Sequence, residues 1–260
     1  MKNELLKIGS FTVHGYGLMI GIGIIAAYLC AEYRAKKKNL QQDLIFSLAI
    51  WCVLGGLLGA KVLYYLTQIN EIINDPKILL QVGDGFVVYG GIIGGILAGF
   101  LYCKRQKINF LEYFDLVMPS IALAQGFGRI GCFLAGCCYG LETNSPIHII
   151  FHSSDYAPNN VALIPTQLIS SGLNFIHFFI LIIFANRKKA DGQVAALYLI
   201  LYSIGRFILE FFRGDLERGS VGTISTSQFI SIFIFFVGII IFIQREMYAR
   251  KLKKSSTNNK

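Results

Sequence analysis

Three cations stand where a cation is expensive. Lys61, Arg129 and Arg206 each interrupt a long apolar run, and an ionised side chain inside a bilayer costs roughly 2.5 to 3.5 kcal/mol. A lysine near a helix end snorkels to the interface easily, which accounts for Lys61. The two arginines are harder to dismiss. At about 1.5 Å per residue, each lies roughly 20 Å from its predicted cytoplasmic helix start in a hydrocarbon core about 30 Å thick. Both guanidinium groups therefore fall at one level of the outer half. Tyr202, Arg206, Glu210 and Arg213 recur at helical spacing and form a single stripe. With Glu210 the only intramembrane acid nearby, a positive excess remains that an anionic ligand would cancel. A guanidinium grips phosphate through a planar fork, so these residues suit recognition of a phospholipid headgroup. The plainer alternative is an internal Arg206–Glu210 ion pair that only fixes helix packing.

Elements must carry these groups into the bilayer. The 260 residues are 54% hydrophobic and 15% charged, too apolar for the surface of a soluble domain. Runs of roughly 20 apolar residues, the length that spans a membrane, recur at Phe11–Cys30, Leu44–Leu66, Gly85–Cys103, Leu116–Cys138, Leu168–Ala185, Val194–Phe212 and Thr226–Ile243. The expected fold is all-α, a polytopic membrane protein of about seven transmembrane helices. Arg34 to Lys38, Lys104 to Lys107, Arg187 to Lys189 and the carboxy-terminal cluster from Arg245 hold most of the basic residues. By the positive-inside rule, the amino terminus lies outside and the carboxy terminus in the cytoplasm. The first run contains His14, Tyr16 and several glycines with no small-x-small cleavage site, which reads as a retained helix. One helical domain over 1–250 and a basic, disordered tail over 251–260 complete the expectation.

The net charge of +9 lies in short juxtamembrane clusters, as orientation and anionic headgroups require, and does not indicate nucleic acid. Tyr16 and Tyr89 fall just below the outer boundary on helices that enter from outside, at the level of Arg129 and Arg206. Gly90, Gly91, Gly94, Gly95 and Gly99 on the third run, and Gly126, Gly128, Gly131, Gly136 and Gly140 on the fourth, permit close helix packing or a ligand cavity. Cys30, Cys52, Cys103, Cys132, Cys137 and Cys138 hold no spaced extracytoplasmic pair, so no disulfide framework is indicated. Cys132, Cys137 and Cys138 read as small packing residues; a covalent intermediate on one of them is the sharper reading. No histidine stands at a metal-ligand spacing from them, so no metal site is expected. Between Leu141 and Pro165, a long outer segment containing His148, His152, Asp155 and Tyr156 has the size of a small cap or gate.

Gly126-Phe-Gly-Arg129-Ile-Gly131, followed by Cys-Phe and closing in Tyr139-Gly140, resembles the signature of the bacterial prolipoprotein diacylglyceryl transferase family. Asp115 and Pro119 upstream, Tyr16-Gly-Leu-Met, Gly90-Gly91-Ile-Ile-Gly94, Pro165-Thr-Gln167-Leu and Arg206-Phe-Ile-Leu-Glu210-Phe-Phe-Arg213 recur in the family's order, so the resemblance spans nearly the whole chain. It implies a seven-helix enzyme of the bacterial cytoplasmic membrane that transfers diacylglyceryl from phosphatidylglycerol to the lipobox cysteine of a prolipoprotein, without metal or cofactor. It implies catalytic roles for Arg129, Arg206, Glu210 and the residue at position 89, and substrate contacts from Arg129, Tyr16, Tyr202, Gly91 and Gly140. Three departures stand out. Tyr89 replaces the family's histidine before Gly-Gly, Cys132 replaces an asparagine, and Ala135 and Cys137 replace an asparagine and a glutamate. Two other functions stay open at this point: an anionic-lipid transporter, which shares intramembrane arginine and glycine-rich helices, and a divergent paralogue that binds lipid without chemistry or serves another acceptor.

Overall fold

The computed structural model describes residues 4–8, 11–80, 85–215, 220–222 and 224–258. A two-stranded hairpin, β1 (Glu4–Ile8) and β2 (Phe11–His14), leads into α1 (Gly15–Lys37). There follow α2 (Asp43–Thr67), the short α3 (Ile69–Asn74), a 3-10 turn (Pro76–Leu80), α4 (Val88–Gln106) and α5 (Phe110–Ala135). Two small strands, β3 (Ile149–Ile150) and β4 (Ala162–Leu163), precede α6 (Thr166–Ala185) and α7 (Gln193–Glu210). The hairpin β5 (Ser220–Val221) and β6 (Ile224–Ser225) then enters α8 (Thr226–Asn258).

Six of these helices, α1, α2, α5, α6, α7 and α8, are long and apolar enough to cross a membrane. Helix α4 spans 19 residues and carries five glycines with Lys104 and Arg105 in its last turn, which lowers its hydropathy. The membrane class expected from composition is met by a mostly helical chain with several membrane-length helices.

Contacts divide the chain into two compact units, Met1–Ala31 with Phe114–Lys260, and Glu32–Tyr113. No linker marks the division because it falls within α1 and α5, whose sequences run on without a break.

In the first unit, Met118, Ala122, Leu181, Ala185, Val194, Ala195 and Tyr198 form the core where α5, α6 and α7 meet. Asp115, fully buried, accepts the backbone N–H groups of Gly192 and Ala195 at 2.9 Å each, and Lys188 Nζ approaches it at 2.8 Å. A carboxylate against the first turn of α7 satisfies donors that have no partner inside the helix and complements the helix dipole. The segment between α5 and α6 packs a small core of its own, Phe151, Ala157 and Leu163 against Phe133, Tyr139, Ile149 and Val161. Helix α8 continues to Asn258, past the point where disorder is expected. Lysine, arginine and leucine are good helix formers and each added residue gains a backbone hydrogen bond; Arg250 also reaches Glu246 at 3.3 Å.

In the second unit, α2 and α4 cross at small residues. A Cβ on Gly59 would strike the carbonyl oxygen of Gly90, and one on Gly94 that of Gly55. The backbones approach as closely as glycine permits, the packing reading of the glycine run. An apolar groove of about 680 Å³ runs along the pair, lined by Leu58, Val62, Ile93 and Leu97 among others.

Candidate functional site

Helix α7 holds the polar stripe expected from its spacing. Tyr198 donates to Gln125 Oε1 on α5 at 3.0 Å, and stacks on His177 of α6 at a centroid distance of 4.9 Å and on Tyr202 at 5.8 Å. One turn further, Arg206 Nη2 stands 2.8 Å from Glu210 Oε2 and 2.9 Å from the hydroxyl of Ser227, in the first turn of α8. Both ends of the pair are sheltered, with side chains 16% and 7% exposed. Just past the helix, Arg213 binds Asp215 through two bonds, Nε to Oδ1 at 3.0 Å and Nη2 to Oδ2 at 2.7 Å. The plainer reading of Arg206 and Glu210 as an ion pair is thus met, without removing the cationic excess.

Arg129 supplies that excess. It lies half-buried on α5 with no hydrogen bond or ion pair among the described residues. Arg206 lies within electrostatic reach of both Arg129 and Arg213, so three guanidinium groups share one neighbourhood with two carboxylates, Glu210 and Asp215. Glycine lets α1 come in against this part of α5: a Cβ on Gly131 would stand 3.2 Å from both the ring and the carbonyl oxygen of Tyr16. Tyr16 is 43% exposed and sits beside Arg129 and Cys132.

The end of α5 gathers three cysteines. Cys132, Cys137 and Cys138 bring their sulfur atoms to within 4.8 Å of one another. Gly136 and Cys138 take left-handed backbone conformations, with φ of 78° and 59°, which fold two neighbouring side chains toward Cys132. From the start of α6, Thr166 Oγ1 donates to the Cys138 carbonyl at 3.0 Å and Gln167 Nε2 to the Cys137 carbonyl at 2.9 Å. Gln167 is almost fully buried, and its Oε1 has no partner among the described residues. Arg213 and Arg129 lie within electrostatic reach of the Cys138 thiol. The three cysteines thus lie beside the arginines of the site. Only the Pro165-Thr-Gln167 and Cys137-Cys138 strings pointed toward this arrangement.

Gly140 bridges to Arg213, and a Cβ there would strike the Ile164 carbonyl. It holds the Tyr139–Gly140 strand against the chain leaving α7, with Gly214 N–H donating to the Tyr139 carbonyl at 3.0 Å. Gly91 and Tyr89 belong to the other unit. Gly91 lies on the α2–α4 contact, where a Cβ would meet the Gly56 carbonyl at 3.4 Å, and Tyr89 opens α4, 40% exposed. Lys61, in the same unit, sits over the rings of Tyr64, Tyr65 and Phe86 at 5.0 to 5.3 Å, an aromatic setting for its ammonium beyond simple snorkelling.

Known proteins resemble the chain along nearly its whole length. The family described as "Prolipoprotein diacylglyceryl transferase" matches residues 3–244. A Clostridium tetani protein named phosphatidylglycerol–prolipoprotein diacylglyceryl transferase is 48% identical over 242 residues, covering 93% of this chain and 97% of its own length. A Clostridium perfringens protein, phosphatidylglycerol–prolipoprotein diacylglyceryl transferase 2, is 46% identical over 252 residues, covering 96% and 98%. A Legionella pneumophila (strain Paris) protein bearing the first of these names is 36% identical over 244 residues, covering 90% and 93%.

Proposed function

We propose a specific reaction for this chain, which belongs to the prolipoprotein diacylglyceryl transferase family: it transfers the diacylglyceryl group of phosphatidylglycerol to the thiol of the lipobox cysteine of a prolipoprotein, the first step of lipoprotein maturation. The observation that carries the reading is Arg129, a sheltered cation with no acid partner among the described residues, within electrostatic reach of the Arg206–Glu210 pair.

The acceptor sulfur attacks the glycerol carbon as a thiolate, the C–O bond to phosphate breaks, and glycerol phosphate departs. Charge gathers on the phosphate oxygens as that bond stretches. Arg129 and Arg206 supply donors for it, and preorganised donors in a water-poor site act where charge develops. Glu210 fixes the orientation of Arg206. Tyr16 and Tyr202 offer hydroxyl groups to the headgroup glycerol. Gly140 and Gly91 allow close approach of backbone and lipid. For Tyr89, in the place of the family's histidine, the resemblance implies a part in moving the thiol proton.

The setting is the bacterial cytoplasmic membrane. With α4 as a further crossing, about seven spans put the amino terminus outside and the basic carboxy terminus in the cytoplasm, in keeping with the alternating clusters of lysine and arginine. Phosphatidylglycerol of the outer leaflet and the lipobox of an exported prolipoprotein are the two substrates.

The test is direct. A purified lipobox peptide incubated with phosphatidylglycerol vesicles and this protein gains one diacylglyceryl mass, and Arg129→Ala removes the product. Well-folded protein that adds no such mass overturns the reading in favour of another acceptor or a lipid-binding role.

A further inference from the structure

Three sulfur atoms from Cys132, Cys137 and Cys138 form a triangle with no side longer than 4.8 Å. Chain neighbours ordinarily point their side chains apart. Here a glycine and a cysteine in left-handed backbone, at φ 78° and 59°, turn Cys137 and Cys138 to the same side as Cys132. Thr166 and the buried Gln167 hold the carbonyls of Cys138 and Cys137 at 3.0 and 2.9 Å, as outer residues do when they fix the direction of ligands. Arg129 and Arg213 lie within electrostatic reach of Cys138, so an anionic sulfur cluster meets compensating charge.

We propose that Cys132, Cys137 and Cys138 bind one zinc ion through three thiolates, and that the acceptor thiol of the prolipoprotein takes the fourth position. Zinc binds thiolate at about 2.3 Å in tetrahedral geometry, so three ligands stand about 3.8 Å apart. The triangle therefore needs to close by no more than about an ångström. Three protein ligands with one open position are the arrangement zinc takes in catalytic rather than structural sites. Soft thiolates select this ion over magnesium or calcium.

The inference rests on the transferase reading and assigns how the acceptor is activated. A thiol that coordinates zinc loses its proton. The zinc-held sulfur donates its electron pair to the glycerol carbon, forming the C–S bond as the C–O bond breaks with its pair on the phosphate oxygen. The phosphate takes up the proton displaced from sulfur, so one thiol and one phosphodiester become one thioether and one phosphate monoester. The thioether, neutral, is a weak zinc ligand and leaves.

Protein purified without chelator is assayed for zinc by mass spectrometry, and chelated protein is reconstituted with cobalt(II). The expected result is about one zinc per chain, falling at least tenfold in Cys132→Ser, Cys137→Ser and Cys138→Ser. A thiolate-to-cobalt absorption band in the wild-type protein, which needs no variant to fold, shifts when a lipobox peptide is added and stays still with its Cys→Ser counterpart. Chelation lowers diacylglyceryl transfer at least a hundredfold and zinc restores it. Full transfer by metal-free protein, undiminished zinc in the triple variant, or a cobalt band indifferent to the peptide thiol would each overturn the inference. Stoichiometric zinc and a thiol-responsive band without transfer from phosphatidylglycerol would overturn the transferase reading and leave the metal site standing.

Discussion

Arg206 and Glu210 stand one turn apart on α7 with Nη2 and Oε2 at 2.8 Å, yet among the described residues the Glu210 Oε2 accepts no aligned hydrogen bond. The pair is held by charge rather than by a saturated fork. In the proposed reaction the guanidinium keeps donors to offer a phosphate, and the carboxylate sets where they point.

Removal of either arginine therefore costs transition-state stabilisation. Arg129→Ala and Arg206→Ala are each expected to lower kcat/KM for peptide modification by about 10²–10³-fold, the scale of losing one preorganised donor at developing negative charge. Arg206→Lys recovers little of this, because an ammonium lacks the fork. Steady-state rates over a series of phosphatidylglycerol fractions in vesicles check all three.

Glu210→Gln leaves Arg206 its charge and frees its orientation. Lipid affinity stays within a few-fold of wild type while kcat drops by about 10-fold or more. A change confined to KM would show that Glu210 does not position the arginine.

Tyr89→Phe removes one hydroxyl at the amino end of α4. Loss of a proton relay is expected to slow turnover by about 10²-fold with zinc content unchanged. Full transfer by this variant would take the proton away from Tyr89.

Asp115 governs stability rather than chemistry. Asp115→Ala strands Lys188 and the first N–H groups of α7, at an expected cost of about 3–5 kcal/mol, read as a lowered Tm in detergent. Lys188→Met added to it costs less than the sum of the two single changes, since the stranded charge goes too.

Lys188, in the turn before α7, also sets a pH limit. Burial alone would depress it, but hydrogen bonds to Asp115 and Asp191 outweigh that and raise it above the ordinary lysine value. A raised cation contributes its stability in full below its unfolded value of about 10.4 and loses it as pH climbs through the folded value. Melting in wild-type protein should begin to soften only above about pH 10, and Lys188→Met should remove that alkaline inflection.

Long apolar runs are legible because a bilayer demands length and little else, and the stripe on α7 because charges spaced four residues apart share a face. Edges were less so. Phe11–His14 looks like helix by hydropathy but pairs with Glu4–Ile8 as a strand. Helix α5 starts at Phe110, ahead of the expected Leu116, because Glu112 and Asp115 are tolerated at its first turns. The cysteine triangle was out of reach, since it depends on left-handed backbone at Gly136 and Cys138, a property of φ that residue type does not announce. So was the grip of Thr166 and Gln167 on the preceding loop, 28 and 30 residues back along the chain.

Between α5 and α6, Phe151 and Leu163 are about 99% hidden from solvent, and Ser154–Asn159 and His152–Asn160 hydrogen bonds cross the same turn. A stretch with its own kernel holds together as one unit instead of melting residue by residue. Its two roots are the cysteine turn and the Pro165–Gln167 corner, so Thr166 and Gln167 tie the seat of this kernel to the backbone that carries Cys137 and Cys138.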